Sequence, residues 1–243
     1  GYIPVVDTFA QFGVTKGALP LIMSGLSEGP VMGIFSHTGF QDAADGASHQ
    51  ALAYLAMSGS IPHVETYCLT CSEEAYHLVS QALQQMAEDK KRGVAGKSYL
   101  FFLGRETFPP KFNETATYKL GKAHVISDRL GNATQKVMIA VSGSLVSQAL
   151  EAQEKLSQKN IGSIVVNPAV MNRPDVEFFA KWLPKADGNL VTMEDHRVIG
   201  GMASVLAQEL LVHDVKINRL RTLGVGDEFG RSSYTAKDLY KLH

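Results

Sequence analysis

Short apolar runs alternate with segments of helical periodicity along most of this sequence, and this alternation constrains the fold more than any other feature. The clearest helical segment is Ser72–Lys91, in which Ala75, Val79, Leu83 and Met86 share one face. Runs rich in β-branched and aromatic residues stand before and after it. Strands that alternate with helices in this way are typical of α/β domains with parallel sheets.

The pattern divides the chain into two halves separated by a stretch without clear periodicity. In the first half it predicts strands at Ile3–Asp7, Val31–Ser36, His63–Thr66 and Tyr99–Leu103, and helices at Gln50–Ser58 and Ser72–Lys91. In the second half it predicts strands at Lys136–Ser142, Ser163–Asn167, Leu190–Met193 and Lys216–Leu223, and helices at Leu145–Gln158, Pro174–Leu183, Gly201–Leu211 and from Thr235 onward. We therefore predict two three-layer α/β domains with mostly parallel sheets, at residues 1–108 and 135–243, joined by a connector at residues 109–134. Because the sequence opens directly on a strand, we expect the first domain to be truncated at its N-terminus.

Composition and charge exclude several classes of protein. The 243 residues contain 23 Lys and Arg against 24 Asp and Glu, so no broad basic surface is available for nucleic acid. Apolar runs are interrupted by Gly, Ser or His well before the roughly 18 residues that a membrane span needs. The first residues lack the basic start and apolar centre of a signal peptide. With Cys68 and Cys71 as the two cysteines, we expect a cytoplasmic protein without nucleic-acid or membrane partners.

The most informative segment is Ser36–Gln50, which directly follows a predicted strand. It carries two histidines and two aspartates in a loop rich in Gly and Ala, at the edge where open α/β sheets bind ligands. Imidazole can accept or donate a proton near neutral pH, so His37 and His49 suit proton transfer on a hydroxylated substrate. A carboxylate beside them could fix a tautomer or bind a substrate hydroxyl. The residue types leave a second possibility open, namely a polar loop whose histidines cap neighbouring elements.

Motifs along nearly the whole chain resemble the C-terminal half of transketolases, which belong to the thiamine diphosphate-dependent enzymes. Asp45–Gln50 is similar to the family's Asp-Gly-(Ala/Pro)-(Ser/Thr)-His-Gln segment, and His37 stands twelve residues before His49, where the family also has a histidine. The other matching segments, in the family's order, are Pro4–Phe12, Leu103–Arg105, Val191–His196 with Gly200-Gly201, and Phe229–Ser232 with Leu239-Tyr240. The resemblance implies a partial pyrimidine-binding domain followed by a transketolase C-terminal domain.

The resemblance also implies a cofactor site. Phe9 and Phe12 would form the aromatic wall on which the aminopyrimidine ring of thiamine diphosphate stacks, an arrangement worth about 0.5–1.5 kcal/mol beyond burial. From spacing alone, both are more typical of ordinary core residues. The glutamate that activates the cofactor in this family, and the Gly-Asp-Gly…Asn domain that binds its diphosphate through Mg²⁺ or Ca²⁺, have no counterpart among these residues. We therefore assign no metal ligand here, and expect the isolated chain to be inactive without a missing N-terminal domain or subunit.

The resemblance assigns the substrate site to four further residues. His37, Asp45 and His49 would line the channel, bind the ketose hydroxyls and transfer protons as a carbon–carbon bond is cleaved. Arg105 would bind the terminal phosphate of the sugar, because a guanidinium group matches phosphate oxygens and stays charged. The alternative for Arg105 is a surface ion pair. The reaction implied is transfer of a two-carbon ketol unit between sugar phosphates by a homodimer.

Other readings of the sequence remain. Deoxyxylulose-phosphate synthase and the β-subunits of 2-oxoacid dehydrogenases share the architecture, but the synthase has Thr-His-Ala in place of Ser48-His49-Gln50. A non-catalytic interaction module is a third possibility, since Ala44 and Thr15 depart from residues common in transketolases. Cys68-Leu69-Thr70-Cys71 is more typical of a loop after a strand than of a redox or zinc site.

The adjacent acidic residues and histidine at Glu194-Asp195-His196 are not expected to form a metal site. Neighbouring residues on a strand point in different directions. The resemblance puts this segment near a subunit interface, where His196 would act at most indirectly.

Overall fold

The computed structural model describes residues 2–243, so Gly1, at which the predicted first domain begins, lies outside the described residues. The N-terminal sheet is fully parallel, with strand order β1-β2-β4-β3. Its strands are β1 (Val5–Phe9), β2 (Met32–Ser36), β3 (Val64–Cys68) and β4 (Ser98–Phe102), and its helices are α1 (Ala10–Leu26), α2 (Tyr54–Gly59) and α3 (Ser72–Arg92).

The C-terminal sheet has five strands in the order β5-β7-β6-β8-β9. Its strands are β5 (His124–Arg129), β6 (Gln135–Val141), β7 (Ile161–Asn167), β8 (Asn189–Arg197) and β9 (Arg219–Val225), and its helices are α4 (Val146–Gln158), α5 (Val176–Trp182), α6 (Met202–Val212) and α7 (Ala236–Leu242). All neighbours pair in parallel except β5, which runs antiparallel to β7. Two mostly parallel sheets with alternating helices confirm the predicted α/β class, whereas the domain boundaries remain a prediction.

Each sheet has helices on both faces, because alternate residues of a buried strand point to opposite sides. In β6, Ile139 and Val141 pack with α4, whereas Met138 and Ala140 face α5 and α6. In the N-terminal sheet, α1 and α2 cover one face and α3 covers the other. The core on the α1 and α2 side is continuous with the core beneath α5 and α6, so one apolar cluster joins the two sheets.

Two elements differ from the sequence-based expectations. Helix α1 was not predicted, because Gly13, Gly17 and Pro20 interrupt its pattern. Gly13 lets α1 pack closely, since a Cβ there would lie 2.8 Å from the ring of Phe35. Strand β5 lies inside the predicted connector, and its strand signal is weak because only Val125 and Ile126 of its six residues are apolar.

Polar side chains also join the two sheets. Glu74, in the first turn of α3, is fully buried and accepts hydrogen bonds from the backbone N–H and hydroxyl of Thr70, at 2.7 and 2.5 Å. Asn167, at the end of β7, donates to the other oxygen of Glu74 at 2.9 Å. Burial raises the pKa of Glu74 to about 7. Among the described helices, none is both long and apolar enough to cross a bilayer.

Candidate active site

The C-terminal edge of the N-terminal sheet brings two predicted site residues into contact. In the parallel register of β1 and β2, Phe9 lies opposite Ser36, so the next residue, His37, follows directly beside Phe9. The two rings stack with their centroids 3.9 Å apart and their planes 24° apart. Ser36 Oγ lies 2.7 Å from His37 Nδ1, within hydrogen-bonding distance of this ring nitrogen. The histidine ring is therefore held on one face and at one nitrogen.

The electrostatic surroundings of His37 favour its neutral form. Burial is the largest influence and lowers the pKa of the ring from 6.5. The carboxylate of Asp42 raises the pKa, Arg105 lowers it, and Asp45 raises it again. Because burial prevails, the ring is neutral at pH 7 and can accept a proton.

Phe12 and His49 extend this arrangement. Phe12 lies in the first turn of α1, and its ring centroid is 6.2 Å from that of Phe9. The His49 ring meets Phe12 edge to face at 5.1 Å, and Ser48 Oγ lies 3.0 Å from His49 Nδ1. We call Phe9, Phe12, His37 and His49 the aromatic cluster. Four of the six predicted site residues thus lie in one contiguous group.

Arg105 is held by the loop that follows β2. Its Nη1 lies 3.2 Å from Oδ1 of Asp42, which is fully buried, whereas the Arg105 side chain is 54% exposed. Gln41 Oε1 accepts the backbone N–H groups of Arg105 and Glu106, at 2.6 and 2.9 Å. Adjacent residues of one loop therefore fix both the backbone and the guanidinium group of Arg105. Arg105 thus pairs with a buried carboxylate while about half of its side chain stays exposed.

Asp45 is exposed on the same loop. The C-terminal tail supports the loop on either side of it, because Gln50 Nε2 donates to the Arg231 carbonyl at 2.8 Å and Ser233 N–H donates to the Ala43 carbonyl at 2.9 Å. The tail segment around residue 230, which resembles transketolases, thus contacts the candidate site from the C-terminal half of the chain.

Strand β8 ends in a buried carboxylate that reaches the same loop. Asp195 has no exposed surface and accepts three hydroxyl donors: Thr38 at 2.9 Å, Tyr54 at 2.6 Å and Ser144 at 2.8 Å. Thr38 and Tyr54 belong to the N-terminal half, whereas Ser144 precedes α4. Asp195 therefore links the two halves immediately behind the aromatic cluster.

The residues on either side of Asp195 point elsewhere. Glu194 accepts the backbone N–H groups of Met202 and Ala203 at the start of α6, at 2.6 and 3.2 Å. His196 Nε2 accepts the backbone N–H of Ala56 at 3.3 Å. The three side chains thus diverge, and among residues 2–243 no group of three or more His, Cys, Asp or Glu side chains could hold a metal ion.

Sequence reasoning missed the polar residues that support the site. Asp42 differs from Asp45 only by its position in the loop, and nothing in the sequence marks one as buried and the other as exposed. Gln41 and Thr38 carry no pattern of their own. Asp195 was singled out with its neighbours, but its partners Thr38 and Tyr54 lie 157 and 141 residues away.

The residues present fit part of a thiamine-type cofactor. An apolar cavity of about 380 Å³ lies against Phe12 and is also lined by Thr8, Lys16 and Phe35. Phe12 is 36% exposed, so its ring is open to a flat heteroaromatic partner. Phe9 has one face occupied by His37. The aromatic cluster can therefore bind a ring, while the described residues offer no cluster that would bind a diphosphate through a metal ion.

Comparisons with known proteins show which proteins this chain is similar to. Residues 128–243 match the family described as transketolase, C-terminal domain. The putative transketolase C-terminal section of Methanocaldococcus jannaschii is 29% identical over 86% of this chain and 60% of that protein. Transketolase-like protein 1 of Macaca fascicularis is 27% identical over 92% of this chain and 35% of that protein. The chain thus spans less than two thirds of the length of each of these relatives.

A synthase and a solved structure extend the same relationship. The 1-deoxy-D-xylulose-5-phosphate synthase of Halothermothrix orenii is 25% identical over 76% of this chain and 27% of that protein. The structure of a split-gene transketolase, described as an inactive β4 tetramer, superposes with a TM-score of 0.75. It is 26% identical, and the match covers 100% of this chain and 72% of that one. Residues 128–243 therefore match the transketolase C-terminal domain family, and the chain is similar to the C-terminal part of transketolases.

Proposed function

We propose that this chain is part of an enzyme that transfers a two-carbon ketol unit between sugar phosphates with thiamine diphosphate. The observation that carries the proposal is the convergence of Phe9, Phe12, His37 and His49 at the C-terminal edge of one parallel sheet. Open α/β sheets bind their ligands at this edge. An aromatic face beside two histidines provides both a surface for a flat ring and groups for proton transfer.

Thiamine diphosphate would supply a thiazolium carbon that attacks the ketose carbonyl. In this chain, Phe12 would bind the aminopyrimidine ring, with the 380 Å³ cavity beside it receiving the apolar part of the cofactor. Phe9 would act mainly by supporting His37, because the imidazole covers one of its faces. The diphosphate and its Mg²⁺ or Ca²⁺ would be bound by an N-terminal domain or subunit, and the chain would then work as a homodimer in the cytoplasm.

The two histidines would bind the substrate hydroxyls and move protons. In each ring a serine hydroxyl contacts Nδ1, so Nε2 would be the nitrogen that contacts the substrate. The neutral form of His37 lets this residue accept a proton from a sugar hydroxyl. Asp45, exposed on the same loop, would accept a hydrogen bond from a further hydroxyl group.

Arg105 would bind the sugar phosphate with the donors that Asp42 leaves free. A guanidinium group has five N–H donors, and the contact with Asp42 involves only Nη1. The pair places a fixed, half-exposed cation near His37, and the buried carboxylate orients it. Phosphate recognition therefore depends on Asp42 as well as on Arg105.

A synthase reaction is the second candidate, because the relatives include a 1-deoxy-D-xylulose-5-phosphate synthase. Gln50 favours the transketolase reaction, since the synthase has Ala at the matching position. In this chain the Gln50 amide fastens the loop to the C-terminal tail. A non-catalytic module would have no need of the aromatic cluster, whose rings contact one another and are partly exposed.

The test is ketol transfer from a ketose phosphate to an aldose phosphate with thiamine diphosphate and Mg²⁺. The chain is purified in complex with a transketolase N-terminal domain, and His49→Ala is compared with His77→Ala, which changes an exposed histidine on α3. We expect His49→Ala to lower turnover by about 100-fold or more, within the range of general acid–base catalysis, and to change cofactor affinity little. Equal losses of turnover and cofactor affinity would contradict the assignment.

A further inference from the structure

The backbone of His37 adopts a conformation that the surrounding structure has to maintain. Its φ angle is 63°, in the left-handed region that residues other than glycine seldom occupy. Such a conformation is unfavourable for a histidine and persists where neighbouring contacts enforce it. The ring contacts with Phe9 and Ser36 orient the side chain, but they do not fix the chain that follows.

The two residues after His37 contact both halves of the chain: the Gly39 N–H donates to the Ala51 carbonyl at 3.0 Å in the N-terminal half, and both residues meet Asp195 of the C-terminal sheet. Thr38 donates its hydroxyl to Asp195 Oδ2 at 2.9 Å, and its backbone N–H donates to the Leu103 carbonyl at 3.2 Å. Gly39 lies so close to β8 that an added Cβ would be 2.6 Å from Cβ of Asp195. The turn that carries His37 therefore rests directly on one residue of the other half of the chain.

Asp195 is suited to hold this turn because its own position is fixed. Tyr54 donates to Oδ1, and Ser144 shares Oδ2 with Thr38. The carboxylate is fully buried, so the loss of one donor would leave charge that water does not reach. Hydrogen bonds to charged groups in the interior are stronger than neutral ones, so breaking the bond between the Thr38 hydroxyl and Asp195 is costly.

We propose that Asp195 is a positioning residue, through which the transketolase C-terminal domain holds His37 of the N-terminal half in its active conformation. The link runs from Asp195 to Thr38 and Gly39, and from there to the left-handed turn at His37. Only the catalytic meaning of this link rests on the proposed function, since the positioning itself is a property of the chain.

The test follows the His37 ring by NMR in the 243-residue chain with labelled histidine. Thr38→Val removes the hydroxyl donor on the side of His37 and keeps the shape of the side chain. Ser144→Ala is the matched control, because it removes a donor to the same oxygen from the C-terminal side. Asp195→Asn tests the carboxylate itself, and Thr38→Ser restores the hydroxyl.

We expect Thr38→Val and Asp195→Asn to raise the pKa of His37 toward 6.5, because a released ring becomes hydrated. Ser144→Ala should lower stability to a similar degree as Thr38→Val but leave the His37 titration unchanged, and Thr38→Ser should keep the wild-type titration. If Thr38→Val leaves the titration unchanged, or if Ser144→Ala shifts it equally, the positioning role is wrong.

A second readout separates this inference from the proposed function. In the complex with the N-terminal domain, Thr38→Val should lower kcat by about tenfold or more with little change in KM, since small misplacements of catalytic groups are costly. A shifted His37 titration with unchanged turnover would keep the positioning role and contradict the catalytic role of His37. An unshifted titration would overturn the inference whatever the turnover.

Discussion

The buried carboxylate of Glu74 should make the stability of this protein fall as the pH rises. Its pKa is about 7 in the folded chain against an ordinary value of 4.5. Between these values the folded state keeps a proton that the unfolded state has released, so the slope of unfolding free energy with pH is negative. The contribution of Glu74 to stability is fully present below pH 4.5 and is lost as the pH rises through 7. Above pH 7, Glu74 causes no further change in the unfolding free energy.

The size of the effect follows from the two pKa values. They differ by about 2.5, and each pH unit corresponds to about 1.4 kcal/mol, so the full contribution is about 3 kcal/mol. Glu74→Gln removes the titration. Its amide N–H₂ would face the Asn167 amide, whose oxygen already accepts the Ala169 N–H, and this mismatch costs roughly 1–3 kcal/mol at every pH. His124, whose Nδ1 lies 3.9 Å from Glu74 Oε1, adds a slope of opposite sign between about pH 4 and 6.5, because burial lowers its pKa from 6.5 to about 4. Wild type and variant both carry His124, so this slope cancels in the difference between them.

The assay is urea unfolding of the wild-type chain and of Glu74→Gln from pH 5 to 8. We expect the wild-type chain to lose about 2–3 kcal/mol relative to the variant over this range. Glu88→Gln, an exposed position on the same helix, should show no such trend. A difference between wild type and Glu74→Gln that stays constant within about 0.5 kcal/mol would refute the reasoning, because it would mean that Glu74 is ionised throughout.

Three further predictions concern single side chains. Asn172→Ala should lower the unfolding free energy by roughly 2–4 kcal/mol, because the amide pairs with the Thr66 N–H and with the Gly59 and Val64 carbonyls. In the same urea experiment, Asn218→Ala at an exposed position should cost under about 1 kcal/mol, and equal costs would contradict this account. Gly33→Ala should lower stability by about 1–3 kcal/mol, since its Cβ would lie 2.8 Å from Leu100 and Phe35. Gly17→Ala, where nothing lies within 4 Å of the added Cβ, should be neutral or stabilising in thermal melts, and a larger loss of stability in Gly17→Ala than in Gly33→Ala would contradict this. In calorimetric titration of the complex with the N-terminal domain, Phe12→Ala should weaken thiamine diphosphate binding by about 2- to 10-fold, whereas Phe229→Ala, at a position 81% exposed, should not. Unchanged affinity in Phe12→Ala would argue against stacking on this ring.

Much of the fold follows from local pattern. Seven of the nine observed strands agree with their predicted positions to within two residues at their starts, because buried parallel strands are short, apolar and bounded by polar turns. Helix α1 was not predicted because its glycines and Pro20 lower helix propensity, and at least Gly13 is needed for close packing against Phe35 of β2. Strand β5 escaped because an antiparallel edge strand needs few apolar residues.

The site was predictable only where the chain order itself brings residues together. Phe9 and His37 follow the ends of neighbouring strands, so a parallel register is enough to make them meet. Burial of Asp42 and the contact of Thr38 with Asp195 depend on how the two halves pack, which no local pattern encodes. The supporting residues of the site therefore appear only in the folded structure.

The most direct test of the central claim is the rate of ketol transfer by three samples: this chain, a transketolase N-terminal domain, and the purified complex of the two. All receive thiamine diphosphate, Mg²⁺, a ketose phosphate and an aldose phosphate. The account predicts transfer by the complex alone, and its loss when the complex carries His49→Ala. Transfer by the isolated chain, or full activity of the complex with His49→Ala, would contradict it.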